Sequence, residues 1–235
     1  MNDISRRNFL HTSMGVTAGA LLLPGDATAT KQGNTYEGGL LTGQPKPLAY
    51  QSIPGFLSKE QLAPHYTAHY GGALRGYVAA DSKLQTSIIE STEIDSSTYG
   101  AVQRARTNKA NSVILHELYF DGMTSKPSNP AEEIHTAIKK RFGSVEKWAA
   151  DFQASAKAAT GWAILAFHPL NGKLYNVLSD KHATGVLWMA TPLVVIDVYE
   201  HAFYVDYKNN KTLYIERFMT HINWEEVNRR YKNIG

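Results

Sequence analysis

The run Leu193-Val194-Val195-Ile196-Asp197 sets a carboxylate directly after four apolar residues. Four such residues read as a buried strand, and a carboxylate at its end is costly to bury unless it is paired or metal-bound. The rest of the chain must supply what neutralises it, and composition narrows the choice. The 235 residues include no cysteine, which excludes disulfide scaffolds, thiolate metal sites, iron–sulfur clusters and cysteine nucleophiles. Nine histidines remain as candidate partners. Lys and Arg total 24 against 21 Asp and Glu, a formal net charge of +3, so the basic stripe of a nucleic-acid binder is not expected. A hydrophobic fraction of 43% can fill a core and excludes wholesale disorder.

The N-terminus reads Ser5-Arg6-Arg7-Asn8-Phe9-Leu10, then an apolar run from Met14 to Leu23, then Ala27-Thr28-Ala29. Paired arginines, a short apolar stretch and an A-x-A site predict an export signal over residues 1–29, in a context that looks like the twin-arginine class. The mature protein is therefore expected in the periplasm or otherwise outside the cytoplasm. No other segment is long and apolar enough to form a membrane helix. Residues 30–54, rich in Gly, Pro, Gln and Lys, read as a partly extended arm.

The remainder divides by pattern into a helical region, 55–124, and an α+β region, 125–235. Ser58-Lys59-Glu60-Gln61 has the spacing of a capping box, and a helix is expected from there through His65 and His69 to about Val78. Pro64 and the glycines Gly71, Gly72 and Gly76 weaken it. The polar stretch Asp81–Gly100 predicts a turn and a short helix, followed by a strong helix over roughly Ser97–Phe120. Gly122–Pro130 is a linker by composition. Further helices are expected with Pro130 at the first position of one and over Ser144–Ala158. Trp162–Phe167, Lys173–Leu178 and Thr191–Ile196 predict strands, the first two joined at Asn171-Gly172. Tyr214–Tyr231 reads as a terminal helix. Helices followed by mixed elements argue an α+β fold, a helical hairpin and then a small three-stranded antiparallel sheet with surrounding helices.

His65 and His69 lie four apart on one helix face. His116 sits among apolar residues in Val113-Ile114-Leu115-His116-Glu117-Leu118, and His201 follows Asp197 by four. Three imidazoles and one carboxylate without sulfur suit iron, manganese or zinc. Spacing alone leaves surface, core and capping roles open for each of them.

Ile196-Asp197-Val198-Tyr199-Glu200-His201-Ala202-Phe203-Tyr204 resembles the D-x-W-E-H-A-Y-Y signature of the iron/manganese superoxide dismutase family. Other segments resemble the family in the same order. Ser58 to Tyr70 is similar to its first-helix pattern, S-A-E-T-L-x-x-H-x-x-x-H-H, and His116 to Phe120 to its H-x-x-F-W. Phe142-Gly143-Ser144, Thr160-Gly161-Trp162-Ala163 and Ile222-Asn223-Trp224 also match. The resemblance covers about Ile53 to Tyr231.

The resemblance implies one Fe or Mn per subunit, held by His65, His116, Asp197 and His201, and disproportionation of superoxide. It implies His69 at the gateway to the metal, Trp162 beside the ligands, and Glu200 and Tyr204 at the interface of a homodimer or of a pair of dimers. It places His182 where relatives have a Gln or His that bonds the metal's solvent; the other source of that Gln aligns with Ser112, which is too short. There are departures. Tyr199 and Phe120 replace tryptophans, and Ala73 stands where the gateway tyrosine is expected, with Tyr77 one turn further on. A shifted register would make His69 the ligand and Tyr77 the gateway, but the distance from Ser58 favours His65. His11, His135, His168 and His221 match no ligand position. Ala73 also motivates the alternative of a metal-binding protein on the same scaffold with weak or altered redox activity.

Overall fold

Ser58 opens the first long helical run, and its Oγ accepts the Gln61 N–H at 3.1 Å. The computed structural model describes residues 37–90, 95–126, 128–185 and 187–234. The predicted signal, 1–29, and the start of the arm lie outside the described residues. The arm carries one short helix, α1 (Gly39–Thr42). The run from Ser58 then has three parts: α2 (Lys59–Pro64), a π-helical turn (His65–Tyr70) and α3 (Gly71–Glu90). Pro64 offers no N–H to the preceding turn and its ring crowds the carbonyl four back. The helix widens directly after it, and π turns of this kind gather at functional sites.

α3 continues beyond Val78 to Glu90, so the polar stretch from Asp81 begins as helix. Its polar residues form the outer face of a helix packed along α4 (Ser96–Asp121). Leu84 is fully buried, and Asp81 pairs with Arg106 of α4 at 3.3 Å. Packing overrode the weak local signal. Asp95 caps α4 through the Ser97 and Thr98 N–H groups.

α5 (Glu132–Phe142) starts after an Ala131 cap, so Pro130 precedes the helix rather than opening it. α6 (Val145–Ala158) is capped by Ser144, whose Oγ accepts the Lys147 N–H. Then come β1 (Trp162–His168), β2 (Lys173–Ser179) and β3 (Thr191–Asp197). They form an antiparallel sheet in the order β2-β1-β3. The register sets Trp162 opposite both Ser179 and Asp197, which brings three strand ends to one place. A 3-10 turn (Glu200–Ala202) and α7 (Tyr204–Tyr207) follow. The terminal helix is two pieces, α8 (Lys211–Met219) and α9 (Trp224–Lys232). The break holds a bridge from Ile222 to Met123, and Asn223 caps α9. The core lies between β3, α4, α6 and α8, with Trp148, Phe152, Tyr119, Tyr214 and Phe218 fully buried in it.

Candidate metal centre

Four side chains from elements distant in sequence meet at the end of β3. His65 comes from the π turn, His116 from the middle of α4, Asp197 from the last position of β3 and His201 from the 3-10 turn. Asp197 Oδ2 lies 3.2 Å from His65 Nε2, 3.2 Å from His201 Nε2 and 3.7 Å from His116 Nε2. All four donor atoms fall within 4.8 Å of one another. Donors about 2.1 Å from a shared ion stand roughly 3 to 4 Å apart, so this separation fits one metal. The hydrogen bonds agree. His116 Nδ1–H donates to the Ser112 carbonyl at 2.7 Å, which fixes the tautomer and leaves a lone pair on Nε2. That buried Nε2 has no hydrogen-bond partner, the state a metal ligand requires.

Burial holds the site against protons. It pushes His116 down to about 3 and lowers His65 as well, against the opposing pull of Asp197. Burial alone would raise Asp197. Hydrogen bonds from His201 and His65 outweigh it and keep the carboxyl well below its usual range. The sign for the metal-free protein follows. An unfolded chain protonates these histidines near 6.5 while the folded chain refuses the proton, and the depressed Asp197 acts in the same direction at lower pH. Stability of the metal-free protein should therefore fall as pH drops below about 6.5. Urea midpoints at pH 7.5 and pH 5 check this, and an equal or higher midpoint at pH 5 contradicts it.

Aromatic rings wall the cluster. Phe120 lies 5.1 Å from the His65 ring, Trp162 lies 5.1 Å edge-on from His116, and Tyr199 stacks on His201 at 5.3 Å. Trp162 Nε1 donates to His182 Nδ1 at 3.0 Å, so in neutral His182 the proton sits on Nε2. The loop carrying His182 is tied down by Ser179 Oγ, which bonds the Lys181 and Thr184 carbonyls. Gly185, at φ +75°, passes so close to the Leu178 carbonyl that a Cβ there would lie 2.3 Å from its oxygen. His69 stacks on His201 at 3.8 Å, and burial followed by the neighbouring histidines pushes it down to about 4.

Tyr77 shows no ring contact with the cluster among the described residues. It lies eight positions past His69, about 12 Å along a helix axis. Ala73 is buried and offers no hydroxyl. Glu200 and Tyr204 are exposed beside His201, whose side chain is 22% exposed.

Gln61 was read from sequence only as half of a capping box. It is fully buried, its Nε2 donates to the His201 carbonyl at 2.6 Å and its Oε1 accepts the Val205 N–H at 2.9 Å. It thus joins the helix before His65 to the loop carrying His201. Its place one helical turn before His65 was the available signal.

Three imidazoles and one carboxylate without sulfur, ringed by aromatic side chains on an α+β scaffold, define a candidate site for one first-row metal ion, with iron, manganese or zinc all suited to its ligands. Residues 130–230 match the family described as iron/manganese superoxide dismutases, C-terminal domain. An iron superoxide dismutase of Aquifex pyrophilus is 36% identical over 190 residues, covering 77% of this chain and 87% of the relative. One from Aquifex aeolicus is 37% identical over 199 residues, 80% and 91% of the two chains. A manganese superoxide dismutase of Haloferax volcanii is 33% identical over 189 residues, 80% and 94%. The chain belongs to the iron/manganese superoxide dismutase family.

Proposed function

We propose that this protein disproportionates superoxide, two superoxide anions and two protons yielding dioxygen and hydrogen peroxide, at a single iron or manganese site. The observation that carries the reading is the convergence of His65, His116, Asp197 and His201 on one point, with the buried His116 Nε2 lone pair turned into it. An iron or manganese ion bound there supplies a one-electron couple that alternately oxidises and reduces superoxide. Three neutral imidazoles and one carboxylate leave such an ion incompletely neutralised, so the pocket attracts an anion. His182 Nε2–H, held by the Trp162 bond, offers a proton at the edge of the cluster. The aromatic wall and the surrounding core keep bulk water from His65, His116 and Asp197, which strengthens these interactions.

Ala73 favours a second reading, a metal-holding protein with slow or altered turnover, because the position expected to carry a hydroxyl lacks one. Metal content and superoxide consumption, measured on iron-loaded and manganese-loaded protein, separate the two. One ion per chain with catalytic consumption of superoxide is expected. Metal-loaded protein that does not consume superoxide catalytically would overturn the enzyme reading.

We further propose a homodimer formed over the face bearing Glu200, His201, Tyr204 and Val205. Support comes from the 22% exposure of a ligand side chain and from Tyr204 and Val205, exposed at 50% and 45% beside it. Sedimentation of the protein and of Glu200→Lys tests this, the variant being expected to run as a monomer. The export reading of residues 1–29 rests on the paired arginines, the apolar run and the A-x-A site. Replacing Arg6 and Arg7 with lysine should retain the protein in the cytoplasm on cell fractionation.

A further inference from the structure

A second buried carboxylate stands beside the metal site. Glu117, next to His116 in α4, is only 4% exposed. Its Oε1 accepts the Tyr70 hydroxyl at 2.8 Å and the Gly39 N–H at 2.7 Å. A buried carboxylate is expensive for a fold to retain, and this one joins the two helical elements that deliver His65 and His116.

The π turn makes the link possible. In an α-helix, residues five apart point about 140° from one another. In a turn closed by i→i+5 bonds that angle narrows to about 50°. His65 and Tyr70 are five apart at the two ends of this turn, and both are fully buried. Tyr70 therefore shares the inward side with the ligand, and its ring lies 6.3 Å from His116 and 6.1 Å from Phe120. The arm completes the arrangement. The Lys46 N–H donates to Tyr70 Oη at 2.7 Å, and Tyr66 Oη–H donates to the Lys46 carbonyl at 2.8 Å. Gly39 fits against Glu117 because it has no side chain; a Cβ there would stand 3.1 Å from Oε1.

We propose that Tyr70 and Glu117 are positioning residues of the metal centre, their hydrogen bond holding the wide turn that carries His65 at a fixed distance from the helix that carries His116. Neither touches the ion or substrate. Residues 39–46 act through the same two side chains, so the arm belongs to the machinery that sets ligand spacing. The inference rests on the metal-binding reading above.

The test uses full-length protein with Tyr70→Phe, which removes the hydroxyl, Glu117→Met, which fills similar space without an acceptor, and the double replacement. Manganese and iron affinities are measured by chelator competition, visible spectra are recorded on the loaded proteins, and the unfolding temperature on the metal-free ones. Each single variant should bind either metal 10- to 100-fold more weakly and show a shifted visible spectrum. The double variant should bind no more weakly than the worse single one, since both replacements break the same link. Affinity and spectrum like the parent's, with only a lower unfolding temperature, would reduce the pair to a structural brace and overturn the proposal. So would losses that add as independent effects. If the parent itself takes up neither metal, the metal-binding reading fails; if the parent binds and the variants bind equally well, only this inference does.

Discussion

Asp197→Asn should empty the metal centre while leaving the fold in place. Asparagine has the shape of aspartate, and its carbonyl oxygen can still accept the Tyr199 N–H that now bonds Asp197 Oδ1 at 2.9 Å. With that oxygen so engaged, the amide NH2 replaces Oδ2 and faces the Nε2 atoms of His65 and His201, each 3.2 Å away. Those atoms can then serve as acceptors for its hydrogens, and the only negative charge among the four donors is gone. Loss of an outer partner of a metal ligand costs 10- to 100-fold in affinity; loss of the charged ligand should cost at least about 100-fold. Elemental analysis should find almost no iron or manganese, and superoxide consumption should fall to background. Far-ultraviolet circular dichroism should be unchanged. Stoichiometric metal in the purified variant would refute the assignment of Asp197.

That carboxylate was also the most legible part of the chain. Four apolar residues followed by Asp197 announced both a buried strand and a charge needing a partner, and the sheet, the α6 cap at Ser144 and the turn at Gly172 could be read from local pattern. Less legible were features made by tertiary contact. Nothing local distinguishes the outer face of α3 beyond Asp81 from a loop, because packing along α4 stabilises it. The aromatic and apolar face of Tyr214–Tyr231 reads as one helix; the break comes from the Ile222–Met123 bridge. Tyr70, Glu117 and Gln61 passed as ordinary helix residues since their partners lie 47, 78 and 140 positions away. The π turn hid Tyr70 further, because α-helical periodicity points it away from His65.

Arg230→Ala should produce a large loss of stability although it touches no ligand. Arg230 is 7% exposed in α9, and its guanidinium donates to the Leu193 carbonyl at 2.8 Å and the Leu118 carbonyl at 3.0 Å. Leu193 lies in the strand that ends in Asp197, and Leu118 is two residues past His116. The terminal helix thus clamps two ligand-bearing elements from behind. Glu226 keeps Arg229 as a partner after the change, so no buried charge is stranded. The cost comes from the Leu193 carbonyl losing this donor, about 1 to 3 kcal/mol, and from the lost packing of the buried side-chain stem; the Leu118 carbonyl keeps the Gly122 N–H. A total near 3 kcal/mol corresponds to a drop in Tm of about 10 °C for a chain this long. Thermal unfolding of metal-free protein measures it, and a drop of only a degree or two would show that water replaces the guanidinium.

The ligand set is spread so that its last two members arrive only when the strand ending at Asp197 and the turn at His201 have been made. A nascent chain halted anywhere before that strand carries at most two of the ligand imidazoles, from separate helices, and not the Asp197 carboxylate. Such a pair holds a divalent ion weakly, since binding and folding are one free-energy event. The full ligand set is thereby complete only once the sheet and the turn after it have formed.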